Sequence, residues 1–236
     1  MPRPKDAPLN ACVIKKKLIL DEEELTPNAP IKKKLPITLD DEKEEVKLTP
    51  GATANKNGSK FEKKVSLTKI LTEEGYYVKT IGNNSKRTYL YKETTDENGD
   101  TTKFYFFKQR MLQHYLKSVY PKDEVYSKLE KIPDEVVLIE KGDKRVLNII
   151  EVKWQTVAGS VAEKINGAQI LKETYEYLFT SFASVRLCYV LSPFLIETFN
   201  ASRIFNHVVK PMLERNNIPY FTQTQLIELK TFATSM

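Results

Sequence analysis

From Gly58 onward, apolar positions recur with changing period, and the changes mark out a series of elements. Gly58-Ser59 can cap a helix over about Lys60–Glu74, with Phe61, Val65 and Leu71 near one face, and Gly75 stops it. Tyr76–Ile81, Arg87–Glu93 and Thr101–Lys108 read as strands, the last two joined through the turn-forming run Asp96–Asp100. A short helix is predicted over Gln109–Tyr120, ended by Pro121. Two further strands, Glu135–Glu140 and Arg145–Trp154, flank Gly142-Asp143. A long helix follows over about Val161–Phe179, then a strand Val185–Leu191, a helix Glu197–Glu214 and a short strand near Tyr220, where the reading ends. Helix, mixed strands, helix, strand, helix is an α/β pattern around one central sheet.

Residues 1–57 follow no such pattern. They hold none of the 24 aromatic residues and seven of the twelve prolines. Basic and acidic blocks alternate along them, and Ile14-Lys-Lys-Lys-Leu18 recurs as Ile31-Lys-Lys-Lys-Leu35, each copy followed by an acidic run and Leu-Thr-Pro. A segment with so little apolar surface to bury cannot offset its ordering entropy, so a flexible tail is expected over 1–57 and a folded domain over 58–236. Two readings of the tail stay open: a duplicated linear motif for a protein partner or a nuclear address, and a solvated spacer.

Charge and cysteine content narrow the chemistry. A net charge of +6 favours a polyanionic partner without deciding one. With only Cys12 and Cys188, and only two histidines, a disulfide framework or a cysteine-ligated zinc site is excluded, and any metal should sit among oxygens. The start of the chain leads into no signal-peptide core, and no run approaches the ~18 apolar residues of a membrane span, so no membrane partner is expected and an intracellular or virion-associated protein is.

The chemically informative segment runs from Pro133 to Gln155. If the hairpin closes symmetrically at Gly142-Asp143, Glu140 meets Arg145, Leu138 meets Leu147, and Asp134 lies opposite Glu151. Side chains directly opposed across an antiparallel pair sit about 4.5–5.5 Å apart on the same face. Lys153, two residues past Glu151, shares that face. Two carboxylates held together on a half-buried strand repel, and a divalent cation between them, Mg2+ with Mn2+ as a substitute, relieves the repulsion. A lysine beside such an ion is placed to orient or deprotonate a water for attack on phosphorus. The other reading is an exposed strand edge carrying charges for solubility.

Pro133-Asp134 followed by Glu151-x-Lys153 resembles the signature of the PD-(D/E)xK nuclease superfamily, in its restriction-type or viral branches. The resemblance implies a restriction-endonuclease-like central mixed β-sheet flanked by helices, and magnesium-dependent phosphodiester cleavage. It also implies that Asp134, Glu151 and the Val152 carbonyl bind the metal while Lys153 assists the water. Many members carry a glutamate on the helix before the core strands, and Glu62 is the match here, its alternative being a solvated residue. Gln155 is expected on the same face as Glu151, supporting a water or the phosphate. Gly159-Ser160 opens the next helix, whose amides either take a phosphate at Ser160 or form an ordinary cap. Lys164 either reaches the DNA backbone or is solvated, and Gln169 touches the site from one helix face. Exonuclease-like members carry Gln with Tyr four residues later on that helix; here Gln169 precedes Tyr175, which favours an endonuclease. Lys86, Arg87 and neighbouring aromatics form either a basic β-surface for DNA or a hairpin whose aromatics pack inward. The expected function is a homodimeric endonuclease on double-stranded DNA. A non-cutting DNA-binding or packaging protein on the same fold is the alternative, and an RNA substrate is a third possibility.

Overall fold

The computed structural model describes residues 50–236 apart from 124–125, 127–128, 157–160 and 181. The repeated basic and acidic blocks of the expected tail lie outside the described residues, as does Ser160.

The described chain forms a seven-stranded mixed sheet with helices on both faces. The strands are β1 (Tyr77–Ile81), β2 (Asn84–Thr95), β3 (Thr101–Lys108), β4 (Glu135–Lys141), β5 (Lys144–Lys153), β6 (Ser184–Leu191) and β7 (Tyr220–Thr222), in that spatial order. Strands β1 to β5 are an antiparallel meander, whereas β6 lies parallel to β5 and β7 parallel to β6. Five consecutive residues of β4, Glu135–Ile139, and seven of β5, Val146–Val152, are buried. Central strands covered on both faces read as continuous apolar runs instead of alternating ones, which is the pattern the sequence carries here.

One face of the sheet is covered by helices α3 (Met111–Val119), α5 (Ala168–Phe179), α6 (Pro193–Ala201) and α7 (Lys210–Arg215), around Phe107, Leu138, Leu147, Tyr175, Tyr189 and Phe199. The other is covered by α1 (Pro50–Val65), α2 (Thr68–Glu73) and α8 (Leu226–Thr234), around Phe61, Val137, Ile150, Val190 and Phe232. A short helix α4 (Val161–Asn166) precedes α5.

Several expected elements are divided. The first helix begins at Pro50, inside the segment assigned to the tail, and breaks at Ser66-Leu67, where the Ser66 hydroxyl takes the Thr68 N–H and the buried Glu135 carboxylate takes the Leu67 N–H. The helix expected over Val161–Phe179 is interrupted at Gly167, whose φ of −87° and ψ of 13° fall outside helical values. The helix expected over Glu197–Glu214 begins earlier, at Pro193 after Ser192, and ends at Ala201; a π-helical turn over Phe205–Val209 then leads into α7. Pro211 supplies no N–H to a preceding carbonyl, and a widened turn upstream of it accommodates the lost bond. Helix α8 lies beyond the last predicted element; its Leu229, Phe232 and Ala233 close the second core.

Candidate active site

The hairpin of β4 and β5 turns at Gly142, whose φ is +55°, and its register pairs Glu140 with Arg145, Leu138 with Leu147 and Glu135 with Ile150. One step further along the same register, Asp134 comes opposite Glu151. The chain before β4 is fixed by the Gln109 N–H, which donates to the Asp134 carbonyl at 2.9 Å. Gln109 adopts a φ of +45° to make that contact at the end of β3.

The three side chains converge. The Lys153 ammonium lies 2.6 Å from Glu151 Oε2 and 3.5 Å from Asp134 Oδ2. The Val152 N–H donates to Asp134 Oδ2 at 2.8 Å, and no described residue donates to Oδ1. Glu151 is 2% exposed, and its Oε1 accepts from the Tyr175 hydroxyl at 2.5 Å. These groups open on a cavity of about 640 Å³ that is also lined by Glu62, Lys131, Lys164, Leu171 and Tyr189.

Burial, and next the Glu151 carboxylate, push Asp134 above the usual carboxylate range against the pull of Lys153 and the Val152 N–H. Burial works to lower the Lys153 pKa, but Glu151 and Asp134 outweigh it and hold the ammonium above its ordinary value. Glu62 is also raised, by burial and then by Asp134. Its place follows from Phe61, which turns into the core and packs on Trp154 with ring centroids 4.7 Å apart. The next residue therefore falls on the cavity rim.

The donors facing the cavity are oxygens, which suits a hard divalent cation. Asp134, Glu151 and the Val152 carbonyl are the groups that would hold it. Among the described residues no three His, Cys, Asp or Glu side chains are gathered closely enough to enclose an ion, so Glu62 is not drawn into a third ligand position. Lys153 sits within reach of both carboxylates and provides their positive counterpart.

Other expected site residues are placed differently. Gln155 lies beyond the end of β5, where alternation no longer governs its side chain, and it does not line the cavity. Its backbone is clamped by Ser192, whose hydroxyl accepts the Gln155 N–H and donates to the Gln155 carbonyl. Gln169 is exposed and bonded to Glu173 on its own helix, away from the cavity. Lys164 does reach the rim. Lys86 and Arg87 are exposed and outside the cavity, while Tyr91, Tyr105, Phe106 and Phe107 of the same hairpin are buried, the inward-packed alternative.

No protein-family model, no curated protein and no solved structure matches this chain.

Two functional candidates escaped the sequence reading. Tyr189 is the register neighbour of Glu151 in the parallel pair β5–β6, so Asp134, Glu151 and Tyr189 stand side by side across three strands. Its hydroxyl is buried without a hydrogen-bond partner among the described residues. Tyr175 reaches Glu151 from α5, and Leu171, one turn earlier, lines the cavity. The only signal for Tyr189 was its place in the run Val185–Leu191, which fixes its face once the pairing partner is known.

Proposed function

We propose that this chain is a metal-dependent nuclease of the PD-(D/E)xK type, an endodeoxyribonuclease that hydrolyses phosphodiester bonds in double-stranded DNA. One observation carries the reading: Asp134, Glu151 and Lys153 meet at one open cavity because two central strands pair in a single register. The order helix, antiparallel meander, helix, parallel strand fits the fold that the motif resemblance implies.

A bound Mg2+ supplies charge neutralisation at phosphate oxygens and polarises a water. The protein's own groups do the positioning. Asp134 and Glu151 present the carboxylate oxygens, with Glu151 oriented by Tyr175 on one oxygen and Lys153 on the other. Lys153, held protonated, acts as a hydrogen-bond donor that orients the attacking water and opposes the charge growing on the phosphate. Lys131 and Lys164 on the rim favour entry of a polyanion. A homodimer follows from the need to cut two strands with one centre per chain.

The test is incubation of supercoiled plasmid, linear DNA and RNA with the protein, with and without Mg2+. Nicking or linearisation should require the ion and fall by at least about 100-fold in Lys153→Ala and in Glu151→Ala. Variants that cut as well as the natural protein overturn the site.

A second reading is a DNA-binding or packaging protein on the same fold without turnover. It is favoured by the seating of the Lys153 ammonium against both carboxylates, which offsets part of their charge without an added ion. No Mg2+-dependent cleavage of any nucleic acid, with DNA binding retained, would establish it.

A further inference from the structure

Some of the exposed charges are matched among the described residues. Lys69 pairs with Glu73, Lys141 with Asp96 and Asp100, Arg145 with Glu140, and Lys230 with Glu74. A group of cations on one surface has no such match. Arg110, His114 and Lys117 stand at positions i, i+4 and i+7 of the α3 segment, hence on one helix face, and the His114 N–H bonds the Arg110 carbonyl at 3.0 Å. Arg87 joins them from the sheet. It lies two residues before Tyr89 in β2, beside a break in the β1–β2 register, and its charge reaches His114; the Tyr89 ring packs edge-on against Tyr115 of α3 at 5.6 Å. Arg87, Arg110 and Lys117 are exposed, and none makes an ion pair among the described residues.

The field of these cations is felt by the imidazole. Burial first, then Arg87, Arg110 and Lys117, hold His114 below its ordinary pKa. Like charges gathered without counter-charges repel one another, and a polyanion is the partner that relieves them. The patch also adjoins the candidate active site. Arg110 follows Gln109, whose N–H anchors the Asp134 carbonyl.

We infer that Arg87, Arg110 and Lys117 form a phosphate-binding track on which the backbone of a double-stranded nucleic acid lies as it runs to or from the Asp134–Glu151–Lys153 cavity. The choice of nucleic acid over another polyanion rests on the phosphodiester reading of that cavity. Arg110 and Lys117 are about 10 Å apart along the helix axis, comparable with the rise of about three base pairs. Lys108 is engaged with Glu135 and does not belong to the track.

The experiment measures binding of the full chain to a labelled 30-base-pair DNA duplex in EDTA, from about 50 to 200 mM salt. In R87Q/R110Q/K117Q the slope of log affinity against log salt should become shallower by roughly 2–3, since each lost phosphate contact removes about 0.9. The melting temperature should stay unchanged, because all three side chains are exposed. The charge-matched control K69Q/K144Q/K210Q, drawn from exposed lysines elsewhere, should change the slope far less. An unchanged slope in the first triple variant, or an equal change in the control, overturns the track. Duplex RNA in a parallel arm shows which backbone it takes. Retention of the protein on phosphatidylserine vesicles, with no binding to either duplex, also overturns it. Plasmid cleavage run alongside keeps the two claims separate. A natural protein that binds duplex without cutting sinks the nuclease reading alone, whereas cutting with an unchanged slope sinks the track alone.

Discussion

Two tyrosines beside Glu151 make opposite predictions about stability. The Tyr175 hydroxyl donates to a carboxylate that is 2% exposed, so Tyr175→Phe leaves that oxygen short of a donor and should cost about 1–3 kcal/mol in denaturant unfolding. The Tyr189 hydroxyl is buried with no partner among the described residues, so Tyr189→Phe removes an unmet polar group and should leave stability equal or higher. A loss in Tyr189→Phe as large as in Tyr175→Phe would show that the hydroxyl is engaged in solution. Asp134 gives a pH signature. Its folded-state pKa is raised, so the folded protein binds that proton more tightly than the unfolded chain, and the ionised carboxylate opposes folding at neutral pH. Asp134→Asn should therefore raise the melting temperature at pH 7 while abolishing Mg2+-dependent cleavage. The gain should shrink as pH falls through the raised pKa and vanish below about 3.9, where aspartate is protonated in both states. Asp134, Glu151 and Lys153 were legible in the sequence because a tight hairpin fixes its register locally. Tyr189 was not, because its place beside Glu151 depends on a parallel pairing reached only through a crossover. Gln155 was misplaced because alternation was carried two residues past the end of β5.

At the scale of elements, the turn at Gly142 sets the pairing on which the site depends. Its φ of +55° suits glycine, and a Cβ there would meet no neighbour, so Gly142→Ala tests backbone strain alone. About 1 kcal/mol of destabilisation is expected in chemical denaturation, with cleavage per folded molecule retained because the long ladder of β4 and β5 holds the register. A variant of normal stability but lost activity would mean that the turn, and not the ladder, positions Asp134. The strands were legible because turn residues and β-branched runs mark them strongly. The helices were less so: hydrophobic period alone does not reveal that Glu135 draws the Leu67 N–H out of a helix, or that Gly167 and Ser202 divide the later ones. In Leu226–Thr234, β-branched and aromatic residues are mixed with polar ones, a composition that fits strand or helix, and packing on the second core decides it.

For the whole molecule, folding and ion binding should be linked. If Asp134 and Glu151 hold Mg2+, adding the ion should raise the melting temperature in proportion to its occupancy, EDTA should reverse the rise, and Asp134→Asn should show none. A rise of equal size in that variant would place the ion elsewhere. The α/β class followed from the order of elements; β5, expected to be half-buried, is buried throughout Val146–Val152, and helices on both faces were expected only from the motif resemblance. The tail, with its repeated blocks, lies outside the described residues. The molecule is also polar in the sense of having two unlike ends. Nine residue steps of mostly extended chain lead from Gly142 to Glu151, so the turn lies about 30 Å from the cavity carboxylates. There it is lashed to the neighbouring turn by Lys141, which pairs with both Asp96 and Asp100. That remote tip offers a handle: a fluorophore or an affinity tag grafted between Gly142 and Asp143 would stand clear of any duplex lying across the opposite rim, and would report how the protein orients on it.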